Sequence, residues 1–178
     1  MSGKCVYLMR HGIAEPLGAT DSDDFHRPLA LRGKERTKEV ANGLLALQVH
    51  PQQIVSSPLL RCMETAQVVH STLEVEVPLV KCEYLAPGGD LRRLLLWLAE
   101  WEKLVTLLVG HSPDLSRFAS LFVSPGEEVR LQFKRAGVCR IDFPDAPAFG
   151  EGTLCWLLPP SLLRQLGEKG GFSERGKR

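Results

Sequence analysis

The run Leu104–Val109, Leu-Val-Thr-Leu-Leu-Val, constrains the fold most. It is continuous, apolar and rich in β-branched residues, which suits a parallel strand buried on both faces. Such a sheet needs helices on both sides. A second run, Cys5–Met9, has the same character and reads as another buried strand. Both runs end in reactive side chains, Arg10-His11-Gly12 after the first and Gly110-His111-Ser112-Pro113 after the second. In an open α/β sheet, ligands bind at the carboxyl edge of the strands. Taken alone, Arg10-His11 is equally compatible with an exposed basic turn; a second strand ending in histidine favours a shared crevice.

The intervening segments supply the helices. Residues 30–48 place Val40, Leu44 and Leu47 on one face. Ile54-Val55 is a short strand, followed by Ser57-Pro58, which predicts an N-cap and the first position of a helix over 58–73. Arg61 then falls in that helix's first turn, beside backbone N–H groups suited to an anion. Pro78–Val80 is a further strand, and Asp90 caps a helix with Leu91, Leu94, Leu95 and Leu98 on its apolar face. Ser112 and Pro113 predict the start of a helix burying Leu115, Phe118, Ala119 and Phe122. Strands are expected over 129–133, 137–143 and 153–158, and a short helix over 160–166. The fold class is α/β: a three-layer α/β/α sandwich with a mostly parallel central sheet. A single domain spans 1–166, and the Gly-, Lys-, Arg- and Glu-rich residues 167–178 read as a disordered tail.

Charge excludes some classes of function. The net charge of +1 provides no global field for nucleic acid or a membrane surface. The apolar runs are too short to span a bilayer. The N-terminus lacks a signal-peptide core, so a cytoplasmic location is expected. Five scattered cysteines without a CxxC pair read as reduced core thiols. Neither a metal cluster nor a cofactor motif is visible in the sequence. Residues 13–28 form a long irregular loop, and its acids Asp21, Asp23 and Asp24 are read as surface residues, as is Asp114.

Two guanidiniums and two imidazoles, Arg10, Arg61, His11 and His111, would repel one another at one sheet edge unless an oxyanion compensates them. Arginine forks suit a tetrahedral phosphate. Gly12, Ser57 and Ser112 stand at the turns where backbone or helix N-terminal groups could add donors, and Gly12 and Ser112 are taken as phosphate contacts with Arg10, Arg61 and His111. Neutral His11 would attack phosphorus through one ring nitrogen while the other donates to a fixed acceptor. Arg10, Arg61 and protonated His111 would stabilise the charge.

Leu8-Met9-Arg10-His11-Gly12 resembles the signature of the histidine phosphatase superfamily, which is phosphoglycerate mutase-like in fold. Residues 56–66, Ser-Ser-Pro-Leu-Leu-Arg-Cys-Met-Glu-Thr-Ala, and 109–113, Val-Gly-His-Ser-Pro, resemble its second and third motifs. Arg27-Pro28-Leu29, residues 86–90 and residues 152–156 look like those of the SixA-type phosphohistidine phosphatases. The resemblance implies His11 as nucleophile and Arg10, Arg61 and His111 as phosphate-pocket residues, in a metal-independent hydrolase. The usual acidic motif after the third strand is missing; Glu83 is the one nearby candidate for a general acid. Without an acid, a phosphoramidate is an easier substrate than an alkyl phosphate, because imidazole leaves more readily than an alkoxide. The implied partner is a phosphohistidine-bearing protein such as a histidine phosphotransfer domain, with phosphate or sulfate able to bind the pocket. Two alternatives stand: a small-molecule phosphomonoesterase of the same superfamily, and a non-catalytic phosphate-recognition module.

Overall fold

The computed structural model describes residues 3–18, 24–127 and 129–173. Asp21, Asp23 and residues 174–178 therefore lie outside the described residues. Six strands form one sheet: β1 (Lys4–Arg10), β2 (Gln53–Ser56), β3 (Leu79–Lys81), β4 (Val105–Gly110), β5 (Val138–Phe143) and β6 (Thr153–Leu158). Their order is β3-β2-β4-β1-β5-β6. The first four are parallel, while β5 runs antiparallel to both β1 and β6.

β1 has apolar residues on both faces because both faces are covered. Cys5, Tyr7 and Met9 pack beneath α1 (Leu31–Ala46), α2 (Leu60–Leu73) and α5 (Pro160–Ser173). Val6 and Leu8 pack on the opposite layer, with α3 (Leu91–Ala99) and α4 (Asp114–Val123). The expected three layers are present. Asp90 caps α3 as expected, its carboxylate accepting from Arg92 and Arg93 N–H at 3.0 and 3.1 Å.

Several local expectations are corrected. Residues 129–133 form no strand; Val129 N–H goes instead to Ser120 Oγ at 2.8 Å. Cys155 is exposed, unlike the other four thiols. The last helix runs to Ser173, past its expected end at 166, so the first part of the supposed tail is helical. The glycines that suggested disorder have a packing role. A Cβ on Gly43 would stand 2.0 Å from the Leu163 carbonyl oxygen, and one on Gly167 would stand 2.8 Å from Gly43 N. Small residues on both helices let α1 and α5 approach backbone to backbone.

α2 begins two residues later than expected, at Leu60, and α4 one residue later, at Asp114, and neither Ser57 nor Ser112 caps its helix. Both serines remain at the sheet edge. Among the described residues no helix is long and apolar enough to cross a membrane.

Candidate active site

Three adjacent strands, β2, β4 and β1, deliver the site at their carboxyl ends. The ladder continues past the strands: His11 N–H donates to the Gly110 carbonyl at 3.0 Å and Ser57 N–H to the Val109 carbonyl at 2.9 Å. From the other side, Ala136 N–H donates to the carbonyls of Arg10 and His11 at 3.0 and 3.1 Å. The backbone of each histidine is thereby fixed before any side-chain contact is made.

The four expected residues meet. His11, Arg61 and His111 are buried, at 7%, 4% and 5% exposure. The two imidazole rings lie 5.3 Å apart. His11 Nδ1 donates to its neighbour, the Gly12 carbonyl, at 2.7 Å. That bond sets the tautomer and leaves the Nε2 lone pair as the nucleophilic position. Ser57 Oγ stands 2.8 Å from His111 Nε2, and Arg61 Nη2 is 3.5 Å from His111 Nδ1. A guanidinium can only donate, so Nδ1 accepts and Nε2–H donates to Ser57. Cys62 Sγ closes the far side, 3.4 Å from Nε2.

Burial holds His11 down to about 4, with Arg61, Arg10 and Arg27 acting in the same direction and the bond to Gly12 opposing them. Burial likewise holds His111 down to about 3, with His11, Arg61 and Arg10 adding to it and Asp24 opposing. With only the protein's own groups present, His111 is neutral; the protonated ring expected from the sequence belongs to the phosphate-bound site. An oxyanion between the rings would raise both values.

Gly12 does not contribute its N–H to an anion. That group donates to Thr65 Oγ1 at 3.0 Å, and Thr65 Oγ1 in turn donates to the Arg61 carbonyl at 2.6 Å. The glycine is required by packing: a Cβ there would sit 2.5 Å from Thr37 Oγ1. At the start of α2, Leu60 N–H is already taken by the Phe25 carbonyl (3.0 Å), and Leu59 N–H points to Ser57 Oγ (3.4 Å).

Arg10 Nε, Arg27 Nε, Arg61 Nε and Ser112 Oγ are all buried without a hydrogen-bond partner. Buried orphan donors are costly, and four of them on residues beside two neutral imidazoles fit an oxyanion. Arg10 is steered by a bond from Nη1 to the Phe133 carbonyl at 2.9 Å.

Sequence reasoning missed Asp24, Thr65 and the full part played by Ser57. Asp24, read as a surface acid, binds Arg61 at 2.9 Å and Arg27 at 2.8 Å. Asp114 also does more than decorate the surface, since its Oδ2 accepts from Gly88 N–H at 2.9 Å and ties down the loop before α3. Glu83 is exposed on a 3-10 turn (Glu83–Leu85) and forms no hydrogen bond or ion pair with His11, Arg61 or His111. Among the described residues no cluster of three or more His, Cys, Asp or Glu could hold a metal ion.

Comparison with known proteins agrees with this geometry. The model of the histidine phosphatase superfamily (branch 1) matches residues 6–86. An uncharacterized protein of Picosynechococcus sp. is 40% identical over 138 residues, 75% of this chain and 81% of that protein. The phosphohistidine phosphatase SixA of Escherichia coli is 27% identical over 161 residues, 89% of this chain and 96% of that protein. The solved structure of the protein histidine phosphatase SixA complexed with tungstate aligns with a TM-score of 0.78 at 25% identity, covering 89% of this chain and 99% of that one. With the signature residues at one sheet edge and a SixA-like fold over nearly its whole described length, the chain belongs to the histidine phosphatase superfamily.

Proposed function

We propose that this protein is a phosphohistidine phosphatase that removes the phosphoryl group from a partner protein through a covalent phospho-His11 intermediate. One observation carries the reading: Arg10 and Arg61, each with a buried and unpartnered Nε, act electrostatically on a neutral His11 whose Nδ1 proton is committed to Gly12. A nucleophile and an oxyanion cradle are thus combined, and Glu83, the acid expected from the sequence, is exposed and forms no hydrogen bond or ion pair with His11, Arg61 or His111.

In the first step His11 Nε2 attacks phosphorus in line. The P–Nε2 bond forms and the substrate P–N bond breaks, its electron pair staying on the departing imidazole, which is protonated at its other nitrogen. Arg10 and Arg61 neutralise the equatorial oxygens, and His111 gains a proton as the dianion enters. In the second step water attacks phosphorus. The bonding pair returns to Nε2, and the water's proton leaves with orthophosphate or to solvent. No step requires a metal ion.

The match to SixA at 27% identity supports the phosphoramidate substrate. The exposed position of Glu83 supports it independently, because an ester substrate would call for an acid within reach of the leaving oxygen. The test is hydrolysis of a phosphohistidine-bearing protein beside an aryl phosphate and sugar phosphates, in chelator, with His11→Ala as control. Preference for phosphohistidine, lost in His11→Ala, is expected. Preference for an ester would shift the assignment to a phosphomonoesterase. Phosphate binding without turnover of any substrate would identify a recognition module.

A further inference from the structure

We infer that Asp24 is a positioning residue that turns the Arg61 guanidinium so that its Nε–Nη2 side faces the phosphoryl group. The inference rests on the phosphate pocket proposed above and adds to it the device that aims its central arginine.

The guanidinium has two forks. One is formed by Nη1 and Nη2, the other by Nε and Nη2. Asp24 takes the first fork with two of its acceptors: its backbone carbonyl receives Nη1–H at 2.7 Å and its Oδ2 receives Nη2–H at 2.9 Å. The second fork is left toward the site. Its Nη2 approaches His111 Nδ1 at 3.5 Å, and its Nε is buried and unpartnered. Two acceptors on one residue define the plane of the guanidinium as well as its position, which a single contact could not do.

Asp24 is itself held. Its Oδ1 pairs with Arg27 Nη2 at 2.8 Å. Arg27 Nη1 reaches the Glu15 carbonyl at 3.3 Å. The Phe25 carbonyl, next in the chain, receives Leu60 N–H at 3.0 Å. The acid therefore sits on a backbone docked against the start of α2, the same turn that carries Arg61. A carboxylate inside a cationic pocket can instead compete with the incoming anion. The two roles predict opposite changes when Asp24 is removed, because a competitor's loss tightens phosphate binding and a positioner's loss weakens it.

The experiment measures orthophosphate binding by titration calorimetry, together with kcat and KM for phosphohistidine hydrolysis, and thermal unfolding as a control for folding. Asp24→Ala should weaken orthophosphate binding about 10-fold, the scale of losing charge-assisted hydrogen bonds, and lower kcat/KM in parallel. Asp24→Asn, which keeps both an acceptor oxygen and the backbone carbonyl, should recover most of the binding. In an Arg61→Ala background, Asp24→Ala should have no further effect on orthophosphate binding. Unchanged or tighter orthophosphate binding in Asp24→Ala, or an equal effect with and without Arg61, overturns the inference. If the alanine variant fails to fold, Asp24→Glu decides: it retains the charge and displaces it by one methylene, so weakened binding supports positioning and wild-type binding refutes it. A wild-type protein inactive on phosphohistidine would remove the proposed function, while the calorimetric comparison would still test Asp24.

Discussion

Thr65→Val tests the joint between the first and second motifs. The hydroxyl is fully buried, accepts from Gly12 N–H at 3.0 Å and donates to the Arg61 carbonyl at 2.6 Å. Valine preserves the shape and removes both bonds. The Arg61 carbonyl lies inside α2 and keeps its helical N–H partner. Gly12 N–H does not: it lies on a buried residue, and Thr65 Oγ1 is the acceptor it loses. Leaving one buried amide unsatisfied costs roughly 1–3 kcal/mol. In a chain of this size each kcal/mol moves Tm by about 2–4 °C, so a fall of about 4–8 °C is expected for ~2 kcal/mol. The catalytic effect should exceed what stability alone explains. The Gly12 carbonyl is the acceptor for His11 Nδ1, and a glycine released on its N–H side no longer fixes the imidazole, so kcat should drop at temperatures where the variant is fully folded. Thr65→Ser keeps the hydroxyl and should recover kcat even though it loses a methyl group. Calorimetric unfolding and single-turnover hydrolysis measure the two effects. A Thr65→Val protein with wild-type Tm and kcat would refute the linkage.

Acid should destabilise the protein through its two neutral histidines. Their folded values, about 4 for His11 and about 3 for His111, lie below the ordinary 6.5. Between these limits the unfolded chain binds more protons, so stability falls as pH drops below about 6.5, by up to ~1.4 kcal/mol per pH unit for each histidine. Unfolding free energies measured at pH 7 and pH 5 should show this loss, reduced in His111→Gln and diminished by saturating orthophosphate. Gly43→Ala should separate α5 from α1, because its Cβ would meet the Leu163 carbonyl oxygen at 2.0 Å. Overpacking of about 1–3 kcal/mol should outweigh the gain in helix propensity, and limited proteolysis should then cleave near residue 160 faster than in the wild type.

The parts of the site carried by strand ends were legible in the sequence. His11 and His111 follow apolar runs whose direction and burial leave little freedom, and Arg61 follows a recognisable strand-to-helix corner. The parts that depend on a residue's partner were not. Ser57 has the chemistry of a helix cap, yet its hydroxyl is held by His111 and α2 starts beyond it. Asp24 is one acid in an acidic loop, and only the docking of that loop on α2 distinguishes it from a solvated carboxylate. Gly12 suggested an anion-binding amide because the backbone of a tight turn exposes N–H groups in general; here a threonine 53 residues away occupies it. Gly167 and Gly170 suggested disorder by composition, although against Asn42 and Ala46 of α1 they serve close packing.

The strand order has a consequence for how the protein is made. β4 lies between β2 and β1, so the two halves of the pocket are joined by a strand that follows both in the chain. A nascent chain emerging as far as β3 already contains His11 and Arg61, yet the edges of β1 and β2 that face each other have no strand between them. Those edges can pair with other chains until Val105–Gly110 leaves the ribosome and fills the gap. Its insertion then closes the sheet and brings His111 to its neighbours in the same event, so the pocket arises late and as a unit during synthesis.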